Sequence, residues 1–184
     1  MTPEHMSRLS LTAVAALGLA ACAGMGGAMF TQDNLPDVVK VPAGHRVAME
    51  AMAAGDITYE CRAKAGAVGQ HEWFFVGPDA GLKNRSGQVV GKYYGPPATW
   101  DLNDGSKVTG AQVAVAPAAG GSIPLQLVKA NPASPAGHWQ GVRYIQRLAT
   151  VGGVAPLSPC TPSLLGQREV VKYRADYIFW KAAM

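Results

Sequence analysis

Charge and cysteine are both scarce in this chain. Only 15% of the 184 residues are Asp, Glu, Lys or Arg, against about a quarter in ordinary globular domains. Apolar content is normal at 48%, so a chain kept unfolded by its own charge is excluded and a packed core is within reach. No basic run exceeds two residues and the formal net charge is only +4, which argues against nucleic acid as a partner. Amphipathic helices of a dozen residues are missing, as are the signatures G-x-S-x-G, S-x-x-K and C-x-x-C. Serine nucleophiles of the usual kinds and dithiol redox chemistry are therefore not indicated. What the chain has in excess is Gly (22) and Pro (13), a composition that favours short strands joined by turns.

The N-terminus carries an address. Met6-Ser7-Arg8 is followed by the uncharged run Leu9 to Ala21, which has the length of a secretory core segment and is too short for the ~20 residues of a membrane span. It ends in Leu19-Ala20-Ala21-Cys22, which resembles a bacterial lipobox. By that resemblance residues 1–21 are a lipoprotein signal peptide and Cys22 is the lipidated first residue of the mature chain, a durable anchor when more than one acyl chain is attached. The alternative is an ordinary signal peptide cleaved near Ala21, leaving Cys22 as a spare thiol. The Ala at position 23 favours outer-membrane sorting in a host with two membranes. Residues 22–40, rich in Gly, Ala and Met at their start, are expected to be a flexible tether, and residues 41–184 a single all-β domain.

Export leaves Cys61 and Cys160 as the cysteines of that domain. In an oxidising compartment an even pair is most simply one disulfide; two buried free thiols are the alternative. Neither has a second Cys or His at zinc-ligand spacing.

Beyond residue 41 the apolar period is two. Ile57, Tyr59 and Cys61 alternate with Thr58, Glu60 and Arg62, the pattern of a half-buried antiparallel strand. Val47, Met49 and Ala51 form a similar segment, with Gly55 expected as the turn of a first hairpin. A strand from His71 is expected to stop at Gly77-Pro78-Asp79, and others to cover Gln88 to Tyr94, Lys107 to Ala116 after the loop Asn103-Asp104-Gly105, Ile123 to Lys129, and Val142 to Ala149. Val142, Tyr144, Gln146 and Leu148 are placed on one face, with Arg143 and Arg147 on the other as surface charges. Cys160 would tie down the Pro-rich stretch Thr150 to Gln167. The last strand alternates Tyr173, Ala175, Tyr177 and Phe179 against Lys172, Arg174 and Asp176. The fold class is all-β: an antiparallel sandwich or barrel of about nine short strands with one disulfide.

Several segments together resemble the domain of unknown function 3455 family, secreted proteins of bacteria and fungi. They include Val41-Pro42-Ala43-Gly44, Tyr59-Glu60-Cys61-Arg62, Tyr94-Gly95-Pro96, Asp104-Gly105-Ser106-Lys107-Val108, Tyr144-Ile145-Gln146-Arg147-Leu148 and Tyr173 through Phe179. The resemblance spans nearly all of residues 41–180 and implies one extracytoplasmic domain. It implies no catalytic residues, because the family has no established activity.

Candidate site residues are few. His45, His71 and His138 are spread through the chain with no pair at i, i+2 or i, i+4, so no metal and no cofactor is assigned. Tyr93, Tyr94 and Trp100 flank Gly95-Pro96-Pro97, and His138 adjoins Trp139 in a later loop. Exposed aromatic faces beside turns stack on sugar rings or apolar ligands, so these five are the candidate ligand-binding residues; packing into the core is the competing reading. The expected protein is a lipid-anchored, periplasm-facing or outer-membrane lipoprotein acting as a binding or structural module. Its expected partners are the membrane, through the anchor, and a small-molecule, glycan or protein ligand. A small extracytoplasmic hydrolase or metal-dependent enzyme using His71 and His138 is the alternative.

Overall fold

Each strand of the protein pairs with the next, and the last pairs with the first. The structure, a computed structural model, describes residues 30–135 and 137–183; the expected leader and Cys22 lie outside them. Eight strands are found among the described residues: β1 (His45–Ala63), β2 (His71–Lys83), β3 (Val89–Tyr94), β4 (Thr99–Leu102), β5 (Lys107–Ala116), β6 (Leu125–Ala130), β7 (Val142–Gly152) and β8 (Arg168–Ala182). All neighbours are antiparallel, and pairing of β1 with β8 closes the sheet into an up-and-down barrel. Closure gives every strand a neighbour on each side along part of its length. The all-β antiparallel fold read from the sequence is thus what forms.

The first expected hairpin does not. Gly55 lies inside β1, which runs unbroken for 19 residues. There it pairs with Ala80 of β2 on one side and Tyr173 of β8 on the other. A Cβ at this position would collide with the Asp79 carbonyl and the Ala80 backbone. The glycine marks a close approach of two strands in a coiled wall, not a turn. The break expected at Gly77-Pro78 is likewise a β-bulge: the β1–β2 register slips between Thr58 and Tyr59, and β2 continues to Lys83.

The interior is filled with rings. Tyr93 stacks on Trp100 at 4.9 Å between centroids, and Tyr177 lies 4.9 Å from Tyr93. Trp139, in the β6–β7 connection, sits 4.2 Å from Phe179 and is 1% exposed. Its indole N–H donates to the Trp100 carbonyl at 3.0 Å. Trp139 thus plugs the barrel end that carries the β2–β3, β4–β5 and β6–β7 connections.

A second buried layer lies outside the barrel. A bulge after Val142 puts Val142 and Ile145 in the interior cluster, so Val142 does not share a face with Tyr144, Gln146 and Leu148. Gln146 and Leu148 are nonetheless buried, as are Ile178 and Trp180 of β8. Residues Thr31–Met184 form one compact unit, and the segment leading into β1 covers this outer face. The Gln146 amide donates to the Val39 carbonyl (2.6 Å) and to Gln32 Oε1 (2.9 Å), and its oxygen accepts from the Trp180 indole N–H (2.9 Å). The described end of the expected tether is therefore fastened to the barrel by a buried amide whose bonds are made on both sides.

Cys61, on the interior-facing phase of β1, is bonded to Cys160, with a Cα–Cα separation of 5.4 Å. The bridge ties the β7–β8 connection to the end of β1, as expected from the pair of cysteines.

Candidate functional site

The five aromatic and histidine residues read as a ligand surface do not meet on one. Tyr93, Trp100 and Trp139 are interior, at 6%, 1% and 1% exposure. Alternation along β3 sends Tyr94 outward, where its hydroxyl lies 3.3 Å from Asp101 Oδ2 and Lys92 stands over its ring. His138 is exposed, and serves a turn: its backbone N–H donates to Asp104 Oδ2 (3.1 Å), while Asp104 Oδ1 accepts from the Ser106 hydroxyl (2.6 Å) and N–H (2.9 Å). Bonds from Ser106, then from the His138 backbone, hold the Asp104 carboxyl well below the usual carboxylate range. The packing reading wins for three of the five because burying a large ring in a barrel interior stabilises more than leaving it at a turn.

The histidines are also apart. His45 opens β1 with its ring against Tyr144, His71 opens β2 at the opposite barrel end, and His138 lies in the β6–β7 connection. No group of three or more His, Cys, Asp or Glu side chains able to hold a metal occurs among the described residues.

A different constellation occupies the barrel end away from Trp139. There a cavity of about 160 Å3 is lined by Tyr59, Tyr93, Tyr173 and Tyr177, by Arg147, and by apolar walls that include Ile57, Phe75, Ile123 and Pro124. Four different strands supply the polar lining: β1, β3, β7 and β8. Tyr59 donates its hydroxyl to the Gly153 carbonyl at 2.8 Å. The hydroxyls of Tyr173 and Tyr177 are closed off by the surrounding packing and make no hydrogen bond of normal geometry among the described residues. The two lie near enough to one another, and Tyr177 to Tyr93, to influence ionisation.

Arg147 is the unexpected member. The sequence reading put it on a surface face with Arg143, but it pairs with Tyr177 across β7–β8, two residues from the interior Ile145. Residues in register share a face, so its side chain points to the inside of the wall. Its Nε and Nη2 donate to the Pro124 carbonyl at 3.2 and 2.9 Å, leaving further guanidinium donors without a carboxylate partner among the described residues. Desolvation raises all four phenols above their ordinary pKa, Tyr177 most plainly, while the Arg147 charge pulls each of them the other way. The phenols are therefore neutral donors at physiological pH.

Sequence reasoning missed this site because the alternation on β7 was set one residue out of phase. The signal available was an Arg two positions from Ile145 in a strand facing the Tyr173/Tyr177 pair. Three other hollows, of about 420, 540 and 370 Å3, are larger but are more open grooves, one beside Asp104 and His138, one beside Met52 and Arg174 and one beside Gly55 and Lys172.

Fold and site together define a small antiparallel β-barrel protein with an aromatic interior, closed at one end and hollow at the other. The family described as "Protein of unknown function (DUF3455)" matches residues 42–89 and 83–181. The chain belongs to that family. No curated protein matches it, and no solved structure does.

Proposed function

We propose that the protein is an envelope lipoprotein whose barrel holds a small ligand in the tyrosine-lined cavity. The observation that carries this reading is the hollow itself, about 160 Å3 at one barrel end, with four tyrosines and Arg147 set among apolar walls. Ligand sites are typically concave and mostly apolar, with a few placed polar groups that fix orientation. Eight-stranded barrels have interiors just wide enough to be filled by side chains or to hold one small molecule. Here rings fill one half and leave the other open.

Two features support a place outside the cytoplasm. Leu19-Ala20-Ala21-Cys22 has the form of a lipidation signal, and the Cys61–Cys160 bridge suits an oxidising compartment. The lipid tether would hold the binding barrel at a membrane surface.

Calorimetric titration of the full-length protein with single-ring compounds, benzoate, aniline and benzyl alcohol, tests the binding reading. Saturable heat with at least one of them is expected; no saturable heat with any of the three overturns it. For the address, Cys22→Ser should move the protein from the membrane fraction to the soluble fraction of its host. Mass spectrometry finding no acyl adduct on the wild-type Cys22 would refute lipidation.

A further inference from the structure

The lining of the tyrosine cavity offers donors and a positive charge, with no fixed negative charge among its side chains. It contains four phenols and one guanidinium, and no carboxylate, imidazole or thiol. A cationic ligand would meet Arg147 and no counter-charge, and a metal ion would meet no usual ligand set. We infer that the cavity selects a small monoanion, a carboxylate carried on one ring or a body of similar size, by charge-assisted hydrogen bonds from Arg147. The inference rests on the ligand-binding reading of the barrel mouth and deepens it.

Size sets the body. A cavity of about 160 Å3 is close to the ~150 Å3 hollow that accommodates benzene in an engineered core, so the part of a ligand held inside is about one ring. Walls made by Ile57, Phe75 and Ile123 suit an apolar body, and the tyrosine rings present edges and faces for stacking.

Charge sets the head group. The guanidinium keeps donors free after its contact with Pro124, and a guanidinium fork matches the two oxygens of a carboxylate. The buried phenols remain protonated, so they bring no negative charge to oppose it. A single guanidinium also favours one negative charge over several: a polyanion would bring charge that nothing else in the lining offsets. Asp79 acts on Tyr173 from a position on the exposed phase of β2, which further disfavours a multiply charged ligand. The groove beside Asp104 and His138 carries no comparable demand, because its carboxylate is already satisfied by Ser106 and the His138 backbone.

The test compares benzoate with benzyl alcohol, which has nearly the same shape and no charge, by calorimetric titration of the full-length protein. Benzoate is expected to bind at least about tenfold more tightly. Arg147→Met should erase that difference, and Arg147→Lys should restore part of it. Because Arg147 also holds Pro124, salt provides an independent arm on the wild type: rising ionic strength should weaken benzoate relative to benzyl alcohol. Equal binding of the two compounds by the wild type sinks anion selection and leaves the cavity reading standing. Binding of neither sinks anion selection, and the cavity reading with it when aniline also gives no saturable heat. A benzoate preference indifferent to both salt and Arg147→Met removes the guanidinium from the site.

Discussion

Arg147 and Tyr177 stand opposite each other across the β7–β8 ladder, in phase with the interior pair Ile145 and Phe179. A cation thereby faces a phenol that burial keeps protonated. Phenols with a folded-state pKa above the ordinary value of about 10 stabilise the fold fully below that pH and lose the contribution as pH rises past it. Absorbance at 295 nm should show the phenolates of Tyr59, Tyr93, Tyr173 and Tyr177 appearing above pH 10, those of Tyr173 and Tyr177 last and together with unfolding. In Arg147→Met, which removes the one influence lowering all four, their onset should move higher still at the level of the folded state. Ionisation of every tyrosine near pH 10 with the fold intact would contradict this.

The Cys61–Cys160 bridge closes a loop across 99 positions. Cross-links of that span stabilise by up to about 4.7 kcal/mol in the chain-entropy description, with about 2–5 kcal/mol commonly lost on removal. Urea unfolding of Cys61→Ala/Cys160→Ala should give an unfolding free energy lower by that amount, with the midpoint shifted down in proportion. The free energy change in reductant should match it, since both remove the same link; a midpoint unchanged in either case would mean the bridge is energetically idle.

Trp139 should be among the most sensitive positions in the chain. Its ring is 1% exposed and packs on Phe179, with the indole N–H bonded to the Trp100 carbonyl. Trp139→Ala is expected to cost about 3–5 kcal/mol by cavity formation. Trp139→Phe keeps most of the ring and gives up the hydrogen bond, so it should cost about 1–3 kcal/mol. Chemical denaturation of the two variants checks the order as well as the size, and equal losses would mean the ring's bulk contributes little.

Asp104 supplies an acid limb to stability. Its carboxyl is held well below the usual range, first by the Ser106 hydroxyl and then by backbone donors of Ser106 and His138. A carboxylate with a depressed folded-state pKa contributes fully above its ordinary value of about 3.9 and loses the contribution as pH falls through the folded value. Melting temperatures measured from pH 5 downward should fall less steeply for Asp104→Asn than for the wild type. Parallel curves would show that the turn does not depend on the charge.

Much of this fold could be read from residue order. Turns at Asn84 to Gly87 and Asn103 to Gly105 are local features, glycine at positive φ in tight loops, and the second of them marks where the strand Lys107 to Ala116 begins. The β8 face of Tyr173, Ala175, Tyr177 and Phe179 is equally plain, because one side of that strand carries Lys172, Arg174 and Asp176. Reading failed where two strands touch. Gly55 looks like a turn until the backbone of Asp79 and Ala80 is brought against it. On β7, both faces are buried, one by the barrel interior and one by Val39 and its neighbours, so hydrophobicity no longer marks the inside and a bulge can shift the phase unseen. The cavity was hidden for the same reason: its five polar residues come from four strands, and only closure of the sheet brings them together.

Trp139 and its stacked rings stopper one mouth of the cylinder, so the hollow beneath Arg147 has a single doorway. A guest would leave by the route it entered, and no second molecule could push it through from behind. Its escape rate would then be set by the occupant and the tyrosines around it, indifferent to how much competitor waits outside.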